Sequence, residues 1–399
     1  MAGRGLIANQ RQSIPFYRDV RIIAILLQIA FVILIGLLFW WLLRNMLNGL
    51  RAAGLPLSFG FLQQTAGFDI GEGIAYRPTD TYARAFLVGI VNTIRVAVLG
   101  IILATILGVL IGIGRLSSNW LLRNVTGSYV GIIRNTPLLV QLIFWYVAVI
   151  LKLPRVREAV GIEGVLLMSN RGMAVIWPRA TDTFGAWVPW LWAAPMIGIA
   201  AYLAWRWRLR RIDRPGSAWP YGLLAALLTV VVGLVVVRAT TGAAPVWVDQ
   251  PELGAFNFQG GASLTPEFFA LLIALTVYTA AFIAEIVRGG ILAVNKGQRE
   301  AAMALGLTPA QTLRLVIFPQ ALRVIIPPMT NQYLNLTKNS SLAIAIGYPD
   351  LFNVSTTINN QTGAAVQVIL IVMALYLSAS LITSLLMNIY NYRMRLVER

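Results

Sequence analysis

The chain has 399 residues, 58% of them hydrophobic and only 12% charged, with a mean hydropathy of +0.73, too apolar for the surface of a water-soluble domain; it belongs in a bilayer. It holds no His and no Cys, which excludes His/Cys metal sites, a Ser-His-Asp triad, a cysteine nucleophile and a disulfide, and its three lysines, Lys152, Lys296 and Lys338, are followed by Leu, Gly and Asn, so no G-x-x-x-x-G-K-[ST] phosphate loop is present. The 32 Lys plus Arg against 15 Asp plus Glu read as an orientation signal for a membrane protein, not as a nucleic-acid footprint.

Crossing the hydrocarbon core takes roughly 20 apolar residues. In chain order, segments 22–43, 86–113, 128–151, 188–205, 219–237, 268–287, 324–346 and 366–390 qualify, about eight transmembrane helices in an all-α integral membrane protein. The first is too long for a signal-peptide core and has no small-residue cleavage site after it, so it is expected to be retained. The third and seventh are interrupted by Pro137 and by Pro327-Pro328, which membrane helices tolerate when neighbours satisfy the freed carbonyls.

With the N-terminus (Arg4, Arg11, Arg18, Arg21) in the cytoplasm, Arg115, Arg123, the basic run 206–214, the segment 296–323 and the tail with Arg393, Arg395 and Arg399 fall on the same side. Outer loops 239–267 and 347–365 contain no Lys or Arg, as the positive-inside rule asks, while outer loops 44–84 and 152–187 do carry some. Both termini are therefore expected to be cytoplasmic.

Several of these segments carry polar residues that need a reason. Arg95 is the sole charge in 86–114, on the order of 14 Å from the outer end of its span at about 1.5 Å per residue. It can anchor a substrate carboxylate with its forked donors or snorkel to the outer interface. Gly108 and Gly112 form a G-x-x-x-G pattern suited to close helix packing, within the chain or against a partner. Glu285 and Arg288, spaced i, i+3, suit a local ion pair. Asn331, Asn335 and Lys338 fall on one helical face, either lining a translocation path or bonding to neighbouring helices.

Between the sixth and seventh segments lies GQREAAMALGLTPAQ, 297–311, polar and rich in Ala and Gly. Residues 298–305 favour helix, Gly306 suits the left-handed position that ends one, Thr308 can cap a second helix, and Pro309 fits its first turn. A helix, a sharp turn and a second helix running through Ala310, Leu313 and Ile317 to Pro319 are expected. Composition leaves two readings open: a rigid knob with a low-relief alanine face (Ala301, Ala302, Ala304) against which another protein docks, or an amphipathic hairpin on the membrane surface.

Glu300-Ala301-Ala302, three residues, Gly306, nine residues, then Val316-Ile317-Phe318-Pro319 resembles the EAA loop of ABC-transporter permeases, with Val316 and Phe318 replacing the usual Ile and Leu. Arg134-Asn135-Thr136-Pro137-Leu138-Leu139-Val140-Gln141 is similar to the R-G-T-P-L-L-V-Q segment of the polar amino-acid (histidine/glutamine-type) permeases, with Asn135 where Gly is common. Residues 278–291 resemble the span leading into their EAA loop, and Lys338-Asn339-Ser340-Ser341-Leu342 their K-x-T-S-L segment. The first span and the two-span insert look most like the longer permease subunits of general L-amino-acid transporters.

The resemblance implies a type I importer fold (MetI-like) with a five-helix core. Residues 1–85 would form the cytoplasmic N-terminus, first span and periplasmic loop, 86–390 the permease domain with an insert at about 152–265 and the coupling loop at about 289–323, and 391–399 a cytoplasmic tail. It implies that Glu300, Ala301, Ala302 and Gly306 dock into an ATP-hydrolysing subunit, and that the chain is a non-enzymatic permease of a bacterial inner membrane. The implied partners are ABC ATPase subunits, which bind the ATP and Mg, a second and non-identical permease, a periplasmic amino-acid-binding protein and membrane lipid. Substrate-path candidates are Arg95, Asn331, Asn335 and Lys338, with no catalytic or metal-binding residue and no nucleic acid. Two rivals stand beside this reading: a secondary transporter or channel driven by an ion gradient, and a non-transporting membrane scaffold.

Overall fold

A computed structural model describes residues 20–394 apart from 53, 55, 56, 214 and 215. The basic residues Arg4, Arg11, Arg18, Arg395 and Arg399, on which the expected orientation partly rests, lie outside the described residues.

The molecule is mainly helical. Helix α1 (Val20–Ala52) leads through a long loop to α2 (Tyr82–Gly114), then α3 (Trp120–Asn135) and the short α4 (Leu138–Ile143). A helical hairpin, α5 (Phe184–Arg211) and α6 (Trp219–Thr241), precedes α7 (Pro266–Leu292). After it come α8 (Lys296–Ala304), α9 (Pro309–Thr312), α10 (Phe318–Asn339), α11 (Leu351–Thr362) and α12 (Ala365–Met394). Among the described residues seven helices are long and apolar enough to span, or eight when the bent α3–α4 pair is taken as one.

Helix α7 is the axis of the core. In its most apolar stretch 67% of residues are buried, against 0% for α1, so among the described residues α7 is wrapped by protein while α1 is left uncovered. Small residues let neighbours approach it. An added Cβ on Gly108 of α2 would lie 2.6 Å from Ile283 of α7, one on Gly112 would lie 2.8 Å from the Ala284 carbonyl, and one on Gly290 would lie 2.3 Å from Ile325 of α10. The G-x-x-x-G pattern thus serves packing inside the chain. Phe268, Leu271, Leu275 and Ile283 of α7, Val96 of α2 and Ile325 and Leu336 of α10 form the centre of the core.

Two elements depart from the sequence expectation. The segment 128–151 is not a straight span: α3 begins at Trp120, and the chain turns by 107° between α3 and the run 138–152. Proline disfavours helix in the residue before it, and Thr136 is accordingly extended (φ −104°, ψ 127°). Gln141 stitches the corner, its Nε2 donating to the carbonyls of Ile133 and Thr136 at 2.9 Å each. The expected stop at Pro319 is also absent. A turn with i→i+5 bonding over Leu313–Ile317 lets the chain pass the proline, and helix continues from Pro309 to Ile346.

Residues 160–264 also carry short strands that composition did not announce. Strands β1 (Val160–Ile162), β2 (Leu166–Ser169), β3 (Gly172–Val175) and, after α6, β8 (Ala262–Leu264) make an antiparallel sheet in the order β1-β2-β3-β8. Two ribbons accompany it, β4 (Trp177–Ala180) with β5 (Val246–Asp249), and β6 (Glu252–Leu253) with β7 (Phe258–Gln259). The sheet hands the chain from β8 directly into α7, whose first turn is capped by the Thr265 hydroxyl accepting from the Phe268 N–H at 3.1 Å.

Candidate functional site

The turn at 305–308 is built by backbone rules. Asn295 opens α8 by accepting from the Gly297 N–H at 2.8 Å. At its far end Gly306 sits at φ +77°, its N–H bonding to the Met303 carbonyl at 2.9 Å while the Leu307 N–H reaches Ala302 at 3.2 Å, the paired bonds of a Schellman ending. Thr308 and Gln311 then form a reciprocal capping box that starts α9, with Pro309 in the first turn.

The four expected coupling residues do not share one environment. Glu300, Ala301 and Gly306 are exposed, whereas Ala302 is 3% exposed and seats α8 against the rest of the chain. Glu300 lies 3.5 Å from Lys296. Leu305, 81% exposed at the tip, and Met303 beside it add an apolar knob that the sequence reading did not single out. The signal was present: a leucine immediately before a left-handed glycine has little of its own chain to pack against.

Asn331, Asn335 and Lys338 are all exposed on one face of α10, together with Val324, Pro327 and Pro328. The opposite face is buried through Ile325, Met329 and Leu336. No hydrogen bond ties the two asparagine side chains or the Lys338 ammonium to another helix among the described residues, so the reading in which the amides hold neighbouring helices together finds no support. Contacts of Gly100 with Leu336 and a 3.0 Å bond between the Thr105 and Tyr333 hydroxyls set α10 alongside α2. By this pairing Lys338 and Arg95 lie within about one helical turn of the same depth.

Arg95 turns toward the loop between α1 and α2. Its Nη1 is 3.5 Å from Oε1 of Glu72, and its guanidinium lies 5.2 Å from the centre of the Phe268 ring. Glu72, 9% exposed, also accepts from the Thr265 hydroxyl, so one carboxylate joins the α1–α2 loop, α2 and the start of α7. Burial raises its pKa above the ordinary 4.5, against the lowering effects of the Thr265 hydrogen bond and the Arg95 charge. Close by, Asn92 donates to the carbonyls of Glu72 (3.0 Å) and Pro349 (2.9 Å), and the Tyr348 hydroxyl donates to the Asn92 carbonyl (3.2 Å). Glu72 was missed from sequence because it stands 23 residues from Arg95 in a loop without periodicity.

At the opposite end of the core, Glu285 of α7 accepts from Arg288 at 2.5 Å, the expected local pair, and also from Arg115 at the end of α2. The second bond makes the pair a clamp between two helices.

A model of the family described as binding-protein-dependent transport system inner membrane component matches residues 100–396. Over 388 residues the chain is 46% identical to the general L-amino acid transport system permease protein AapQ of Rhizobium johnstonii, covering 96% of this chain and 94% of that one. It is likewise 46% identical over 377 residues to the putative amino-acid ABC transporter permease protein YhdX of Escherichia coli, covering 94% of each. With the glutamate/glutamine/aspartate/asparagine transport system permease protein BztB of Rhodobacter capsulatus it shares 40% identity over 429 aligned positions, covering 98% of each.

Proposed function

The chain belongs to the family of binding-protein-dependent transport system inner membrane components, and from that premise we propose that it is the membrane-spanning subunit of an ATP-driven importer of polar L-amino acids. It is a multi-pass membrane protein that carries substrate, not an enzyme that transforms it. The observation that carries the reading is the helix, glycine turn and helix at 296–312, continuous through α9 with the helix that bears the polar face.

In this reading residues 289–323 face the cytoplasm and both termini lie on that side of a bacterial inner membrane. ATPase subunits, which hold the ATP and Mg, grip the tip formed by Glu300, Ala301, Leu305 and Gly306, while buried Ala302 fixes α8 to the chain. Their approach and separation move α10, and the site alternates between outward and inward access. A second, non-identical permease covers the exposed face of α10, so that Asn331, Asn335 and Lys338 line the path between the two. A soluble amino-acid-binding protein delivers substrate at the outer end. Arg95 exchanges Glu72 for the α-carboxylate of the amino acid as it passes, a bidentate partner replacing a single contact at 3.5 Å.

The test is reconstitution of the chain with its co-purifying subunits in sealed liposomes, with ATP on the ATPase side and the binding protein opposite. Uptake of labelled glutamine or glutamate that requires ATP hydrolysis is the expected result. Uptake that survives without ATP and collapses with the ion gradient would assign the chain to the gradient-driven class instead.

A further inference from the structure

The hairpin α5–α6 contains two neighbouring cavities. At the basic end a cavity of about 650 Å³ is lined by Tyr202, Arg206, Arg210, Asp213, Ser217 and Trp219. Along the seam of the two helices runs an apolar cavity of about 720 Å³, floored by Ala194, Gly198, Gly222 and Ala226 and sharing Tyr202 and Trp219 with the first. The groove exists because the helices touch backbone to backbone there: a Cβ on Gly198 would lie 2.9 Å from the Gly222 carbonyl, and one on Gly222 would lie 2.8 Å from the Gly198 carbonyl. Its rim is apolar and outward-facing, with Ile199, Leu223 and Leu227 each more than 60% exposed or at it.

The polar cavity has the chemistry of an anion seat. Arg208 and Arg211 are turned onto the Trp205 and Trp207 rings at 5.2 and 3.8 Å, away from duty in the cavity. Arg206 is held by Tyr202, its Nη1 donating to the hydroxyl at 3.3 Å and its guanidinium lying 6.0 Å from the ring centre, and Arg210 has no ion-pair or hydrogen-bond partner among the described residues. Two guanidinium groups against the single carboxylate of Asp213 leave the lining positive. The Trp205–Tyr221 stack, with ring centres 3.8 Å apart, holds the two helices in place at this level. From Arg206 down to Ala194 is twelve residues, about 18 Å of helix, close to the depth of one leaflet of a hydrocarbon core roughly 30 Å thick.

We propose that the α5–α6 hairpin holds one anionic phospholipid, its phosphate between Arg206 and Arg210 and one acyl chain in the groove floored by Gly198, Gly222 and Ala226. The charge of the polar cavity selects the headgroup, and the apolar groove beside it, sharing Tyr202 and Trp219, selects a lipid over a soluble anion. The proposal requires a membrane protein and does not depend on which solute is transported.

Native mass spectrometry of the full-length chain with its co-purifying subunits tests it, with phosphatidylglycerol or phosphatidylcholine added in neutral detergent. The unsubstituted protein is expected to keep one phosphatidylglycerol through a detergent wash and not to keep phosphatidylcholine. The double variant Arg206→Gln/Arg210→Gln should weaken that retention about tenfold or more, Arg206→Lys/Arg210→Lys should recover part of it, and Ala226→Phe should abolish it with both arginines in place. Thermal midpoints measured alongside show that each variant is folded. Equal retention by the unsubstituted protein and the double Gln variant overturns the proposal. So does retention untouched by Ala226→Phe but displaced by inorganic phosphate, which would mark a free-anion site, and so does a thiol cross-link from Ile199→Cys to a helix of another subunit, which would mean that protein fills the groove.

Discussion

Gly306 has open space around the position a Cβ would take, yet its φ of +77° is one that most side chains resist, so its substitutions separate backbone strain from collision. Gly306→Asn should keep most ATPase co-purification, because asparagine tolerates the left-handed region, while Gly306→Val, strained by at least about 1–2 kcal/mol, should deform the tip and reduce both co-purification and coupled uptake. Similar losses from the two would contradict the backbone argument. Asp350, fully buried at the start of α11, accepts from the Asn353 N–H at 2.9 Å and from Tyr376 at 3.3 Å, and burial pushes its pKa up to about 6 from the ordinary 3.8. Below about pH 4 the carboxyl is protonated folded or unfolded; between about 4 and 6 the unfolded chain releases a proton that the folded one keeps, so stability falls as pH rises and stays lower above 6. The gap corresponds to on the order of 3 kcal/mol. Asp350→Asn, which retains a good helix cap, should raise the thermal midpoint in detergent at pH 7.5 and leave it nearly unchanged at pH 4; a lower midpoint at both would refute this. Gly306, Thr308 and Pro309 could be read in advance because turn and cap chemistry is local. The inward turn of Ala302 and the pairing of Glu72 with Arg95 could not, since both depend on which surfaces meet after folding.

Helix α10 presents one face to the core and leaves a polar stripe on the other, an arrangement that bare lipid would penalise. In this naturally Cys-free chain, cysteine placed at Asn331 or Asn335 should react with a small water-soluble thiol reagent in the assembled transporter, and the rate should change when ATP is supplied. No reaction in any state would remove these positions from the path. The contact of α2 with α7 is set by absent side chains: Gly108→Leu must displace Ile283, and overpacking of this kind costs about 1–3 kcal/mol, visible as a lowered thermal midpoint. An unaltered midpoint would mean that the two helices separate more readily than their spacing indicates. At this scale apolar runs gave the spans well, and the i, i+4, i+7 stripe was found because a helix's period is fixed. The corner at Pro137 was visible only as an interruption, since its angle depends on Gln141 reaching back to Ile133 and Thr136. The strands, two to four residues each, are too short for alternation to register, and pairs such as β3 with β8 are joined across the whole hairpin.

The whole molecule is asymmetric in its needs: α7 is enclosed, whereas α1, the α5–α6 pair and the stripe of α10 end in surface with no cover from the other described residues. A non-identical second permease covering α10 predicts that a chain carrying Asn335→Cys, treated with a short bifunctional thiol reagent in the intact complex bearing a cysteine at the matching place of the partner, is joined to that different polypeptide. A product of twice this chain's mass would instead indicate two identical copies. Composition placed the molecule in a membrane and the Glu300-Ala301-Ala302 to Gly306 motif placed its family, but which faces stay bare is decided by packing no periodicity records. One of its parts runs from Pro309 to Ile346 as successive helical turns of different pitch, 38 residues and about 57 Å long. Such a rod is a see-saw: pivoted near its middle, a tilt of about 10° carries each end roughly 5 Å in opposite senses. A nudge at the near end would therefore reach the far surface by way of the i→i+5 turn at Leu313–Ile317 and the Pro327-Pro328 pair, the two places where such a rod can flex.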